Sequence, residues 1–353
     1  MSTRHIAGNS RTIVFAPRIA ELFEKYCGED LFRLEPDTIG IAGAELMDAV
    51  LGARPAQPDE RPTFKPVHRR LVDRADASAF MQAVGADVRT ALKAPLDADG
   101  PLVGVWPQRA HDYVRDLVFG GEDIRFRVLV DRRLELTPKL TWSVVTSGAA
   151  LIGRTGAERP LSKLATQVFQ ANSFRDRRYA MYLYRRVAAP VCFTVAALVT
   201  SALWLASPLD PQTSNRNILL ETLRLLPPSW NLLRLKGSEF PAVDARIGTG
   251  DDLLLLPLLS QRDPRLWAAP NEFRPERWDR LDPETHPGYL PFGHASERCW
   301  GRHMVMPLAE RILDLARRDG LRVDPNQTVG KVELDGLLEL ASVRVRSGST
   351  AAQ

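Results

Sequence analysis

The run from Ala188 to Leu209, AAPVCFTVAALVTSALWLASPL, carries no charged residue. A helix this apolar has to be enclosed, either by lipid or by a large protein core. Its length, and the basic stretch RDRRYAMYLYRR from Arg175 to Arg186 before it, would suit a short membrane span. Pro190 near its start and Pro208 near its end equally frame a long buried helix. Both flanks read as ordinary soluble sequence, which favours the buried helix and no membrane. With 353 residues, 44% of them hydrophobic and 25% charged, the chain can build the core that such a helix needs.

The chemistry is expected in PFGHASERCWG, from Pro291 to Gly301. Cys299 stands between a glycine-containing loop and the segment Met304 to Leu313, which reads as a helix with Pro307 in its first turn. A thiolate at a helix start is stabilised by the dipole and by free N–H groups, which would lower its pKa. Gly301 has no Cβ to hold the backbone away from a large flat ligand. The other reading of Cys299 is a buried free thiol.

Phe292, Gly293, Cys299 and Gly301 resemble the haem loop of the cytochrome P450 family, F-G-x-G-x-x-x-C-x-G. The resemblance implies haem b with Cys299 as the axial iron ligand, its sulfur pushing electron density onto the metal. The chain departs from that pattern at Ala295, where the family has a second glycine, and at Glu297, where it has Arg or His for a haem propionate. A carboxylate facing a carboxylate repels, so Glu297 is expected to point elsewhere and Arg298 to take over the pairing.

The same resemblance orders three more landmarks. Glu221 and Arg224 in ETLRLLPP are three apart on one helix face, and NEFRPERW, with Arg277 and Trp278, resembles the family's F-x-P-x-R-F. In the family the Glu and both Arg residues form a buried ion network behind the cysteine loop. E-x-x-R alone is nearly uninformative; the order E-x-x-R, P-x-R-W, cysteine loop is hard to obtain by accident. Arg234 takes the place of a propionate-binding arginine. On the apolar helix, alignment on Thr200 sets Ala196 and Ala197 beside the oxygen pocket and puts Val199 where the family has a proton-relaying acid. Thr200 stands only 21 residues before Glu221, so the helix usually found between them is expected to be truncated or missing.

Toward the N-terminus, IAELFEKYCG reads as a helix, DLFRLEPDTIGIAG as a hairpin turning at Pro36 and Asp37, and AELMDAVLG as a second helix. Ala53 to Pro66, rich in proline, is a loop of the kind that lies over a substrate pocket. His68 opens the next helix and is expected at a propionate, with Arg69 or Arg70 in place of the family's arginine, since Val72 stands there. Trp230, Asn231, Leu337 and Leu338 are candidate pocket residues, each as readily core as contact.

The net charge of +4 comes from 40 Arg and 7 Lys against 43 acidic residues, without a recognised nucleic-acid motif. Three separated cysteines, Cys27, Cys192 and Cys299, suggest a reducing cytoplasm, and the first residues lack the apolar core of a signal peptide. The expectation is one mainly α domain over 1–353 of cytochrome P450-like fold, with β-rich parts near 31–45 and 232–260. The resemblance implies a monooxygenase that hydroxylates or oxidatively couples a small organic molecule, in bacterial secondary metabolism, with electrons from a ferredoxin or ferredoxin reductase. Two rivals stay open: a peroxide-driven or non-redox haem enzyme, and a degenerate, non-catalytic haem-binding protein.

Overall fold

The structure, a computed structural model, describes residues 4–5, 11–67, 69–96, 102–120, 124–131, 139–151 and 162–348. Its helices are α1 (Pro17–Tyr26), α2 (Ala44–Ala53), α3 (Arg74–Ala91), α4 (Gln108–Phe119), α5 (Ile124–Leu129), α6 (Lys139–Leu151), α7 (Lys163–Phe169), α8 (Phe174–Ala206), α9 (Asn215–Leu225), α10 (Pro257–Ser260) and α11 (Arg302–Arg318). The strands are β1 (Arg4–His5), β2 (Thr12–Phe15), β3 (Leu31–Glu35), β4 (Thr38–Ile41), β5 (Gly104–Trp106), β6 (Leu232–Arg234), β7 (Asp252–Leu255), β8 (Leu321–Val323), β9 (Val329–Asp335), β10 (Leu337–Leu340) and β11 (Val343–Ser347). Helix predominates, as the resemblance implied.

The apolar run lies at the centre. α8 packs against α4, α6, α7, α9, α11 and β10, and 83% of its most apolar window is buried within the protein, although its length and composition would also allow it to cross a membrane. It starts well before the apolar run. Ser173 caps it, its Oγ accepting from Asp176 N at 3.1 Å, so the basic stretch is its first third. There Tyr179, Met181, Leu183 and Tyr184 are buried, while the arginines lie toward the surface. Between Ala206 and Asn215 the chain forms no helix, which matches the short step expected there.

The hairpin turns at Pro36 and Asp37 as expected, and β3, β4, β7 and β6 lie side by side in one sheet. β4 runs parallel to β7, and β6 returns antiparallel with Arg234 opposite Leu253. This pairing brings the end of β6 to the loop after α2. Strands β8 to β11 were not expected; they complete two further sheets, β1-β2-β9-β10 and β5-β11-β8.

Two boundaries differ from the sequence reading. α3 begins at Arg74, not at His68, because Asp73 caps it, Oδ1 accepting from Ala75 N at 2.6 Å, while Val67 and Arg70 form a bridge ahead of it. Pro307 lies inside α11 and not in its first turn, since that helix already starts at Gly301, whose carbonyl accepts from Met304 N and Val305 N. The residue His68 itself lies outside the described residues.

Candidate active site

The cysteine loop is closed by its own backbone. Cys299 N donates to Phe292 O at 2.7 Å, Glu297 N to His294 O at 2.9 Å, and Gly293 takes φ +80°, a conformation that favours glycine. Gly301 N then donates to Cys299 Sγ at 3.3 Å as α11 begins. The Cys299 side chain is exposed, yet enough protein surrounds it for burial to push its thiol pKa up. The Gly301 and Arg302 amides and the Arg302 charge pull the other way without prevailing, so the expected lowering is corrected: desolvation outweighs the helix start. The sulfur is thus accessible while much of the side chain is surrounded by protein. A Cβ added at Gly301 would lie 3.5 Å from that sulfur, an ordinary contact. The chain's own packing therefore does not require glycine here, whereas a flat group on the sulfur would. These residues fit a haem.

Behind the loop sits the expected ion network. Glu221 and Arg224, both fully buried, meet twice, Nε to Oε2 at 3.0 Å and Nη2 to Oε1 at 2.7 Å. Arg277 Nε reaches Glu221 Oε1 at 3.0 Å, as does Arg274 N, and Trp278 Nε1 reaches Oε2 at 3.0 Å. Arg224 also donates to the carbonyls of Gln261, Pro270 and Glu272. A carboxylate accepting this many donors ties α9 to the segment that leads into the cysteine loop.

Arg234 is not left for a propionate. Its Nη2 donates to Glu297 Oε2 at 3.0 Å, and its Nε lies 3.9 Å from Glu60. Glu297 Oε1 takes Arg61 at 2.7 Å and Ala56 N at 2.5 Å. Glu297 does point elsewhere, as expected, but toward the arginine assigned to the cofactor. Arg298 does not take over: it pairs with Glu284. Arg69 is exposed with φ 66°, and Arg70 pairs with Asp176 at 3.0 Å.

On α8 the expected distal residues are packed away. Thr200, Ala196 and Ala197 are all buried, and Thr200 Oγ1 donates to Ala196 O at 2.6 Å. Between Val187 and Leu205 only Pro190, exposed, and Thr194, half-buried, break the enclosure. They continue the face of Arg186, which grips the carbonyls of Thr63, Lys65 and Pro66. Phe64 in that loop packs edge-on against Trp300, beside Cys299, with centroids 5.9 Å apart. The open strip and the thiol thus border one region. Thr200, six residues beyond Thr194, is rotated by about 120° from it. Thr194 Oγ1 donates to Pro190 O at 2.6 Å. The sequence reading missed this residue; the signal was polar Thr194 four residues after Pro190 on an otherwise apolar helix.

Of the remaining pocket candidates, Trp230 and Leu338 are buried core, and Asn231 and Leu337 are half-buried. Leu338 N donates to Pro228 O at 2.9 Å, which sets the two segments side by side. A separate hollow of 830 Å³ opens on the outer side of the cysteine loop, lined among others by Arg216, Phe292, Arg298, Arg302 and Pro307.

Residues 216–313, from the Glu221–Arg224 helix through the cysteine loop, match the sequence pattern of the family described as Cytochrome P450. Over that stretch the chain is similar to the cytochrome P450 family. Among curated P450 relatives it is 35% identical over 103 residues to cyclooctatin synthase of Streptomyces melanosporofaciens, and 34% over 119 residues to cyclooctat-9-en-7-ol 5-monooxygenase of the same organism. Those alignments take in 29% and 32% of this chain but only 22% and 26% of the relatives. The P450 fold extends much further. HmtN, a post-tailoring hydroxylase of himastatin biosynthesis, matches 94% of the chain, and 97% of its own, at TM-score 0.62 and 16% identity. A mutant of P450 EryK in complex with erythromycin B matches 95% and 96% at TM-score 0.62 and 17% identity. The P450 pattern matched over 216–313, which includes Cys299, is one that implies a haem on an axial cysteine thiolate.

Proposed function

We propose that this chain is, as one domain, a haem-thiolate monooxygenase acting on a small organic molecule in bacterial secondary metabolism. The observation that carries it is Cys299: an accessible, surrounded sulfur that accepts an amide N–H at 3.3 Å, on a loop braced by Glu221, Arg224 and Arg277. A Streptomyces relative named as a monooxygenase supports the setting. Free cysteines suit the reducing cytoplasm in which such an enzyme would work.

Cys299 would ligate the iron, and Phe292, Gly293 and Gly301 would shape the loop against the ring. Bound there, haem supplies dioxygen activation, one oxygen atom entering the substrate and the other leaving as water with two electrons and two protons. The protein's part is to hold and move protons and to position the substrate. Thr194, and not Thr200, takes the distal hydroxyl role in this reading: Oγ1 faces the open strip and keeps its proton on Pro190 O, with lone pairs free for a water. Its neighbour Phe193 carries no proton, so delivery runs through Thr194 and water. Electrons would come from a ferredoxin-type donor at the outer hollow beside the loop.

The spectrum of the reduced protein under carbon monoxide tests this reading. Wild type gives the thiolate signature and Cys299→Ser does not; a wild type without it refutes the assignment. The apolar part of α8 has no carboxylate, since its one acidic residue is Asp176 in the first turn. That favours peroxide as an alternative oxidant. Product formed with hydrogen peroxide, but not with a ferredoxin and reductase pair, would select that alternative.

A further inference from the structure

Six charged side chains meet where the loop after α2, the end of β6 and the cysteine loop converge. Arg54 pairs with Glu60 at 2.6 Å and with Glu239, Arg61 with Glu297 at 2.7 Å, and Arg234 with Glu297 at 3.0 Å and Glu60 at 3.9 Å. The cluster is neutral, three arginines against three glutamates. Its centre is dry, with side-chain exposure of 0% at Glu60, 6% at Arg234, 10% at Glu297 and 13% at Arg54, while Arg61 and Glu239 at its edge are 28% and 29% exposed. Both Glu297 oxygens are committed, one to Arg61 and Ala56 N, the other to Arg234.

We propose that Glu297 is an internal competitor for the cofactor: it holds Arg61 and Arg234, the guanidinium groups a haem carboxylate would need, and must release one of them for haem to seat fully. The inference rests on the haem reading above. A carboxylate added to a buried neutral cluster would stand without a counter-charge, which is strongly unfavourable, so an incoming propionate exchanges with a carboxylate already present. Glu297 is the one to move. Glu60 is locked by Arg54, Gln57 N and Leu235 N, the last two at 2.7 Å each. Glu239 is held by Arg54, whereas Glu297 pairs with both Arg61 and Arg234 and stands two residues before Cys299. Exchange at Arg61 would also free Ala56 N, which shares Oε1 with it, and so loosen the loop over residues 54–61.

The test is haem transfer from the holoprotein to excess apomyoglobin, followed optically, for wild type and Glu297→Gln. Removing the competing charge is expected to slow release about tenfold, the scale of one charge-assisted hydrogen bond. The slowing should vanish when the protein is loaded with the dimethyl ester of haem, which has no carboxylates. In a double-mutant cycle, Arg234→Gln should speed release more in the Glu297→Gln background than in wild type, because there the arginine is free for haem. Glu297→Ser repeats the measurement should Glu297→Gln fold poorly by circular dichroism. Equal or faster release from both Glu297 variants, or equal slowing with the dimethyl ester, overturns the proposal while the haem reading stands. A wild type and variants that all fail to take up haem overturn both.

Discussion

Arg224 and Glu221 face each other across one turn of α9 with side chains that expose no surface, and the glutamate also receives Arg277, Trp278 and the amide of Arg274. Glu221→Leu would leave two buried guanidinium groups without their anion. The expected loss is about 3–5 kcal/mol, read from urea denaturation, because breaking a buried pair costs far more than the pair contributes. A loss below about 1 kcal/mol would show that the network is not closed as described.

The two glycines of the cysteine loop should separate stability from cofactor binding. Gly293→Ala puts a Cβ at φ +80° and 3.3 Å from Glu297 O, so it should cost about 1–3 kcal/mol in the apoprotein. Gly301→Ala meets only ordinary contacts and should leave apoprotein stability within about 0.5 kcal/mol, while haem uptake falls sharply. Denaturation and haem titration of both variants check this; a Gly301→Ala protein that fills with haem normally would show that Gly301 does not lie against the ring.

Much of this site was legible from order along the chain. Glu221, Arg224 and Arg277 are buried together, where such residue types admit few other uses, and the accessible Cys299 follows them in order along the chain. The hairpin at Pro36 and Asp37 was legible for a local reason, the turn chemistry between two alternating runs. The fate of Arg234 was not legible, because its partner Glu297 is 63 positions away on the cysteine loop and only the tertiary fold brings the two together. That α8 buries Thr200 and leaves Thr194 half-buried was not legible either, because composition does not tell which side of an apolar helix is covered. The C-terminal sheets had an unused signal: Asp335 and Gly336, the latter at φ +74°, turn β9 into β10 between alternating residues.

Acid stability should carry a mark from Asp244. Arg246 binds its carboxylate through the side chain at 2.9 and 2.7 Å and through the backbone at 2.9 Å, and these bonds hold its pKa at about 2. A depressed folded-state pKa gives stability that is present above the unfolded value and is lost as pH falls through the folded one. Asp244→Asn should therefore be less stable than wild type near pH 5 and indistinguishable from it near pH 2, as denaturation at the two pH values would show. A difference that persists at the lower pH would mean that the side chain stabilises the turn by something other than its charge.

Thr194 and Thr200 make the sharpest contrast on α8. Each donates to the carbonyl four residues back at 2.6 Å, but only Thr194 opens on the strip that borders the cysteine loop. Thr194→Ala should let electrons drain to peroxide and water, lowering product per reducing equivalent about tenfold or more, as expected for loss of a positioned proton donor. Thr200→Ala removes a buried hydroxyl and a methyl, so it should cost about 1–2 kcal/mol of stability and leave coupling nearly unchanged. Product and peroxide measured together, beside thermal denaturation of both variants, decide the matter. If Thr200→Ala uncouples and Thr194→Ala does not, the helix presents the opposite face to the substrate, and the reading of Pro190 and Thr194 as the open strip is wrong.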